Sequence, residues 1–100
     1  MKQTNQDADG TSFHRTTINA TVNQLSEICG EPEMGGIEDK VTHNWTMETD
    51  EGEVFTIYDW KEYRQFDNDE NIEWHIGGKS AAITERAKQE LLNVLHPLPF

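Results

Sequence analysis

The chain has one cysteine, three prolines and eight basic residues in 100, and it has no apolar run long enough to cross a bilayer. Each shortage closes off a class. A lone Cys29 makes neither an internal disulfide nor a cysteine-based zinc site, so no such staple supports a domain whose hydrophobic content is 34%. A core that small makes a homo-oligomer attractive. Without the roughly 18 consecutive apolar residues of a membrane helix, and with a polar Met1–Gly10 where a signal peptide would be apolar, the expected setting is the cytosol. Nineteen acids against eight bases give a formal net charge of −11. That sign argues against direct binding to duplex nucleic acid or to an anionic membrane, because both are held through Lys and Arg.

What is present organises as one domain. Residues 1–12 are polar and without apolar period, which predicts a flexible N-terminal arm. Residues 13–96 form the domain, and 97–100, with Pro97 and Pro99, read as an extended tail. The β-branched and aromatic run Phe13–Ile18 predicts a short strand. Thr21 and Gln24 have capping-box spacing, and Ile18, Val22, Leu25 and Ile28 form an apolar stripe, so a helix is expected over Asn19–Cys29, closed by Gly30. Glu31–Asp39, with Pro32, Gly35 and Gly36, reads as a loop.

Period-two alternation then predicts strands from about Val41 to Met47 and from Glu53 to Trp60, joined by a turn at Thr49–Gly52. Ile72, Trp74 and Ile76 predict a third strand, broken by Gly77-Gly78. Ser80 caps a final helix with Ile83, Ala87, Leu91, Val94 and Leu95 on its apolar face. The expected fold is α+β, an antiparallel sheet of three to four strands with two helices packed on one face.

No catalytic signature stands out, and an enzyme is not expected. Gly78-Lys79-Ser80 matches the end of a phosphate loop, but Glu73 stands where that pattern needs its first glycine. A glycine-rich turn into a helix start still suits an anion. Asp67, Asp69 and Asn71 imitate the start of a calcium loop, yet Ile72 and Gly78 replace its glycine and glutamate. His14, His43, His75 and His96 show no metal-ligand spacing, so no metal or cofactor is expected. His43 and His75 could meet across the sheet, and the simpler reading makes one of them a hydrogen-bonded core residue. Tyr58, Trp60, Lys61, Tyr63 and Arg64, beside Trp74 and His75, bring together stacking faces and cations. The plainer reading is that Tyr58 and Trp60 face the helices as core.

The stretches EGEVFTIYDWKEYR from Glu51 to Arg64 and EWHIGG from Glu73 to Gly78 resemble a family of small acidic proteins encoded by tailed bacteriophages. The resemblance implies a phage product in the bacterial host cytoplasm, where such proteins often inhibit host nucleases or other defence machinery. It carries no functional residue with it.

Two functions from different classes fit these observations. In the first, the chain binds a basic surface of a host defence or nucleic-acid-handling protein as a partial nucleic-acid mimic. Its contacts would be Glu48, Asp50, Glu51 and Glu53 at the hairpin tip, with Asp67, Asp69, Glu70 and Glu73. This reading requires the acids to gather on one face. A further group at Glu27, Glu31, Glu33, Glu38 and Asp39 would add to it. In the second, an oligomer sequesters an anionic nucleotide signal with Lys61, Arg64, His75, Gly77, Gly78, Lys79 and Ser80 around the helix start. The bland alternative is that the charge only keeps the protein soluble.

Overall fold

The computed structural model describes residues 1–36 and 39–96, so the expected tail at 97–100 and the acid at Glu38 lie outside the described residues. Thr21 acts as its spacing predicts. Its hydroxyl accepts the Gln24 amide at 3.1 Å, and the Gln24 carboxamide accepts the Thr21 amide at 2.9 Å, which starts helix α1, Val22–Cys29. The helix begins later than the apolar stripe suggests, because Asn19 and Ala20 are still paired in a strand. Gly30, at φ 83°, closes it. The last helix, Ala81–Leu95 (α2), has Ser80 as its N-cap.

Among the described residues, six antiparallel strands form one open sheet. They are β1 (Lys2–Gln3), β2 (Ser12–Ala20), β3 (Glu33–Met34), β4 (His43–Glu48), β5 (Val54–Tyr58) and β6 (Ile72–Gly78). The order across the sheet is β1, β4, β5, β6, β2, and β3 joins β1 on the outer edge of β4. The expected strand count of three to four is therefore too low. The four longer strands were legible, whereas β1 and β3 are two residues each and pair through backbone, which needs no side-chain period. The arm is corrected for the same reason: Lys2 and Gln3 pair with Glu48 and Met47, and Ser12 already belongs to β2.

One face of the sheet carries the core. Ile18, Trp45, Phe55, Ile57, Trp74 and Ile76 meet Val22, Leu25 and Cys29 of α1 and Ala87 and Leu91 of α2 in a single buried cluster. Two indoles bracket the shorter helix: Trp74 Nε1 donates to the Ala20 carbonyl at 2.9 Å and Trp45 Nε1 to the Gly30 carbonyl at 2.8 Å. Burial pushes the Cys29 thiol up to about 12, so it packs as a small apolar group.

The opposite face is crossed by the connection from β1 to β2, which must pass from one margin of the sheet to the other. Along it Gln6 Nε2 donates to Glu48 Oε2 at 2.8 Å, and Ala8 and Thr11 border a hollow shared with Thr56 and Tyr58. The strap borders Thr56, which is buried although it points away from the helices.

Gly77 and Gly78 do not break β6; they complete it. Gly77 pairs with Thr56 and Phe13, and Gly78 with Phe55 and Ser12. A Cβ on Gly77 would stand 2.7 Å from Thr56 Oγ1, so the glycine allows a close approach in the centre of the sheet.

Candidate functional site

Alternation along β5 sets its two faces. Phe55, Ile57 and Asp59 turn to the helices, so Tyr58 and Trp60 lie on the opposite face and not in the core as the plainer reading had it. Register brings His75 beside Tyr58 and Thr17, and it brings Phe13 to Gly77. The result is an aromatic group on the uncovered part of the sheet. Phe13 stacks on His75 with centroids 4.0 Å apart and 13° between planes, and Trp60 lies 6.0 Å from the same ring at 23°. Tyr58 meets both Trp60 and His75 edge-on. Phe13 and Trp60 are each 41% exposed, enough to offer a ring face to a ligand.

Cations stand beside this group. Lys61 Nζ is 5.5 Å from the Trp60 ring centroid and Lys40 Nζ is 6.0 Å away, the two lysines being tied by the Lys61 amide donating to the Lys40 carbonyl at 2.7 Å. Burial lowers the His75 pKa against an opposing pull from Glu73, which favours the uncharged ring. Burial also raises the Tyr58 phenol. Next to the group lies a hollow of about 290 Å³ bordered by Ala8, Thr11, Tyr58, Trp60 and Gly77.

The backbone is strained at the same places. Arg15 (φ 67°), in the bulge between Phe13 and Thr17, and Lys61 (φ 55°) and Tyr63 (φ 51°), just after Trp60, are the non-glycine residues with positive φ among those described. A left-handed L-residue costs about 1 to 2 kcal/mol, and such strain tends to collect at functional positions. Lys61→Gly should relieve it. We expect the variant to gain roughly 0.5 to 1 kcal/mol in urea unfolding while weakening any anion held by the Lys61 ammonium. A loss of stability would show that the lysine stem packs more than its backbone strains.

The acids expected to form one surface are not brought together. Glu48 to Glu53 lie at the β4–β5 turn, and Asp67 to Glu73 lie beyond the far end of β5. Both ends are interleaved with cations. Glu48 is held by Lys2 at 3.3 Å, Asp50 by the N-terminal amine and Glu53 by Arg86, which lowers the Glu53 carboxyl pKa. Glu70 is held by Arg64, and Asp69 accepts from the Asn23 carboxamide. Glu51, Asp67 and Glu73 are exposed.

The alternative set divides as well. Lys61 and His75 belong to the aromatic group, but Arg64 stands by Phe66 and is paired with Glu70. Gly77 and Gly78 are occupied in the ladder, and the Gly78 carbonyl contacts His14 Nε2 at 3.0 Å. Ser80 accepts the Ile83 amide, and exposed Lys79 lies against Gly10 of the strap. His43 turns to the helix face and His75 away from it, so the two do not meet. Of the aromatic residues singled out, Trp74 is core. Phe13 and Lys40 were missed, because both come from segments distant in the chain and only the register of β2 and the Lys40–Lys61 contact reveal them.

No family model matches the chain, and no curated protein or solved structure is detectably similar to it.

Proposed function

We propose that the chain is a non-enzymatic binding protein that takes an anionic nucleotide on its open sheet face. The base stacks on the Trp60 and Phe13 rings around His75, and the phosphate meets Lys61 and Lys40. One observation carries the reading: exposed, mutually stacked aromatics with two lysines beside them, on a protein whose formal net charge is −11. Capture of a nucleotide signal suits the phage setting that the IYDWK and WHIGG stretches imply. It moves the site from the α2 start to the neighbouring sheet face. Mimicry of nucleic acid needs contiguous carboxylates, and these stand at two ends of β5 among Lys2, Arg64 and Arg86, so the geometry favours the nucleotide reading.

Tryptophan fluorescence tests it directly, because Trp45 and Trp74 are buried and Trp60 is the exposed indole. Titration with mononucleotides and cyclic dinucleotides should quench the signal saturably, and Trp60→Leu should weaken binding about tenfold or more. Inorganic phosphate alone should leave the emission unchanged. A flat response to every nucleotide, or an undiminished affinity in Trp60→Leu, would defeat the proposal.

A further inference from the structure

A second cleft, of about 560 Å³, opens at the start of β4 and is bordered by Met34, Thr42, His43, Arg64, Phe66 and Asp67. A count of protons fixes the chemistry of its histidine. Asp59 is fully buried; its Oδ1 accepts the amides of Thr42 and His43, each at 2.8 Å, and its Oδ2 accepts the Thr42 hydroxyl. That hydroxyl has a single proton, and it is committed to the carboxylate. Thr42 Oγ1 also lies 3.0 Å from His43 Nδ1, so Nδ1 must be the donor in that contact. The neutral ring is therefore the Nδ1–H tautomer. Its Nε2 is left as a lone pair without a partner among the described residues.

The charged groups around this ring are Asp59 from the end of β5, Arg64 and Asp67 from the loop before β6, and Glu31 from the α1–β3 connection. Burial holds the His43 pKa below its ordinary value, and only Asp59 pulls it back up. Arg64 makes no hydrogen bond to the ring: its guanidinium donates to both Glu70 oxygens, lies 5.5 Å from the Phe66 ring centroid and has Glu62 at 3.6 Å. With Arg64 neutralised in this way, Asp67 remains as the charge on the cleft. Phe66 adds an aromatic wall whose ring centroid is 5.1 Å from that of His43.

We propose that this cleft binds a protonated nitrogen donor, a guanidinium or an alkylammonium, with His43 Nε2 accepting one N–H and Asp67 balancing the charge. Asp59 and Thr42 act as positioning residues that set which ring nitrogen carries the proton. The site is separate from the sheet face of the aromatic group and does not depend on it.

Long-range proton–nitrogen NMR of the wild-type protein reads the tautomer and should show Nδ1 protonated and Nε2 bare. Arginine amide should then bind saturably at pH 7.5, shift the His43 resonances and lose affinity about tenfold per pH unit below the His43 pKa, while acetate produces no shift. A Gly-Arg-Gly peptide serves as the second arm. Tighter binding of the peptide identifies a partner protein's side chain as the source, tighter binding of arginine amide identifies a free cation, and either supports the site. In Asp59→Asn the amide can donate to Thr42, whose hydroxyl then donates to Nδ1; the ring should switch to the Nε2–H form and cation binding should be lost with His43 still in place. An Nε2–H ring in the wild type, or no response to either cation, overturns the proposal.

Discussion

Asp59→Ala should remove about 3 to 5 kcal/mol of stability, the largest effect expected of any single substitution outside the aromatic core. The residue is fully buried on the helix face, where its carboxylate accepts two backbone amides and one hydroxyl. Truncation strips the acceptor from three donors; the Thr42 hydroxyl can turn to His43 Nδ1, and the two amides left unsatisfied cost about 1 to 3 kcal/mol each. Two of those donors, the amides of Thr42 and His43, lie where β4 begins, so the loss reaches the strand that joins β1 and β3 to the rest of the sheet. Against a total of roughly 5 to 15 kcal/mol for a domain of this size, such a change leaves little margin. Thermal unfolding should show a midpoint lowered by roughly 15 °C or more. A loss below about 1 kcal/mol would mean that water enters and replaces the carboxylate.

The second large effect concerns the two indoles that hold α1. This helix has eight residues, no acid in its first turn and no base in its last, and isolated helices of that length are marginal in water. Its ends are tied by Trp74 Nε1 on the Ala20 carbonyl and by Trp45 Nε1 on the Gly30 carbonyl, and the two rings meet edge-on with centroids 5.4 Å apart. Trp74→Ala should cost about 3 to 5 kcal/mol through the lost ring alone. Trp74→Phe keeps an aromatic ring but leaves the Ala20 carbonyl without the indole, and about 1 to 3 kcal/mol of loss is expected. Amide exchange supplies the sharper reading. Protection should fall first at Leu25, Ser26 and neighbouring α1 amides while α2 stays protected, and uniform loss across both helices would show that α1 is not held in this way.

Much of this architecture was legible in the chain, and the exceptions share a cause. The Thr21–Gln24 cap, the Ser80 cap and the alternation of β4 and β6 are local signals, and each appears in the structure. The Glu33–Met34 pairing has no local signal, because two residues of backbone carry no period. Which side of β5 turns inward was undetermined by pattern, since Val54, Thr56, Tyr58 and Trp60 look at least as apolar as Phe55, Ile57 and Asp59. A buried carboxylate is rare, so the inward turn of Asp59 runs against residue preference. Gly77-Gly78 looks like a break in sequence because glycine usually weakens strands; at Gly77 the missing side chain makes room for Thr56. The same limit applied to the candidate sites. Trp60, Lys61 and His75 could be proposed together from sequence, but their company with Phe13 depends on how β2 pairs with β6, and the scattering of the acids depends on the length of β5.

The sheet's two margins bear on self-association. One is occupied by the short pieces β1 and β3, and the other, β2, is interrupted by the bulge that carries Arg15. Neither presents the long, flat row of unpaired amides and carbonyls that templates filament growth. Concentrated solutions of this protein should therefore resist polymerising strand by strand.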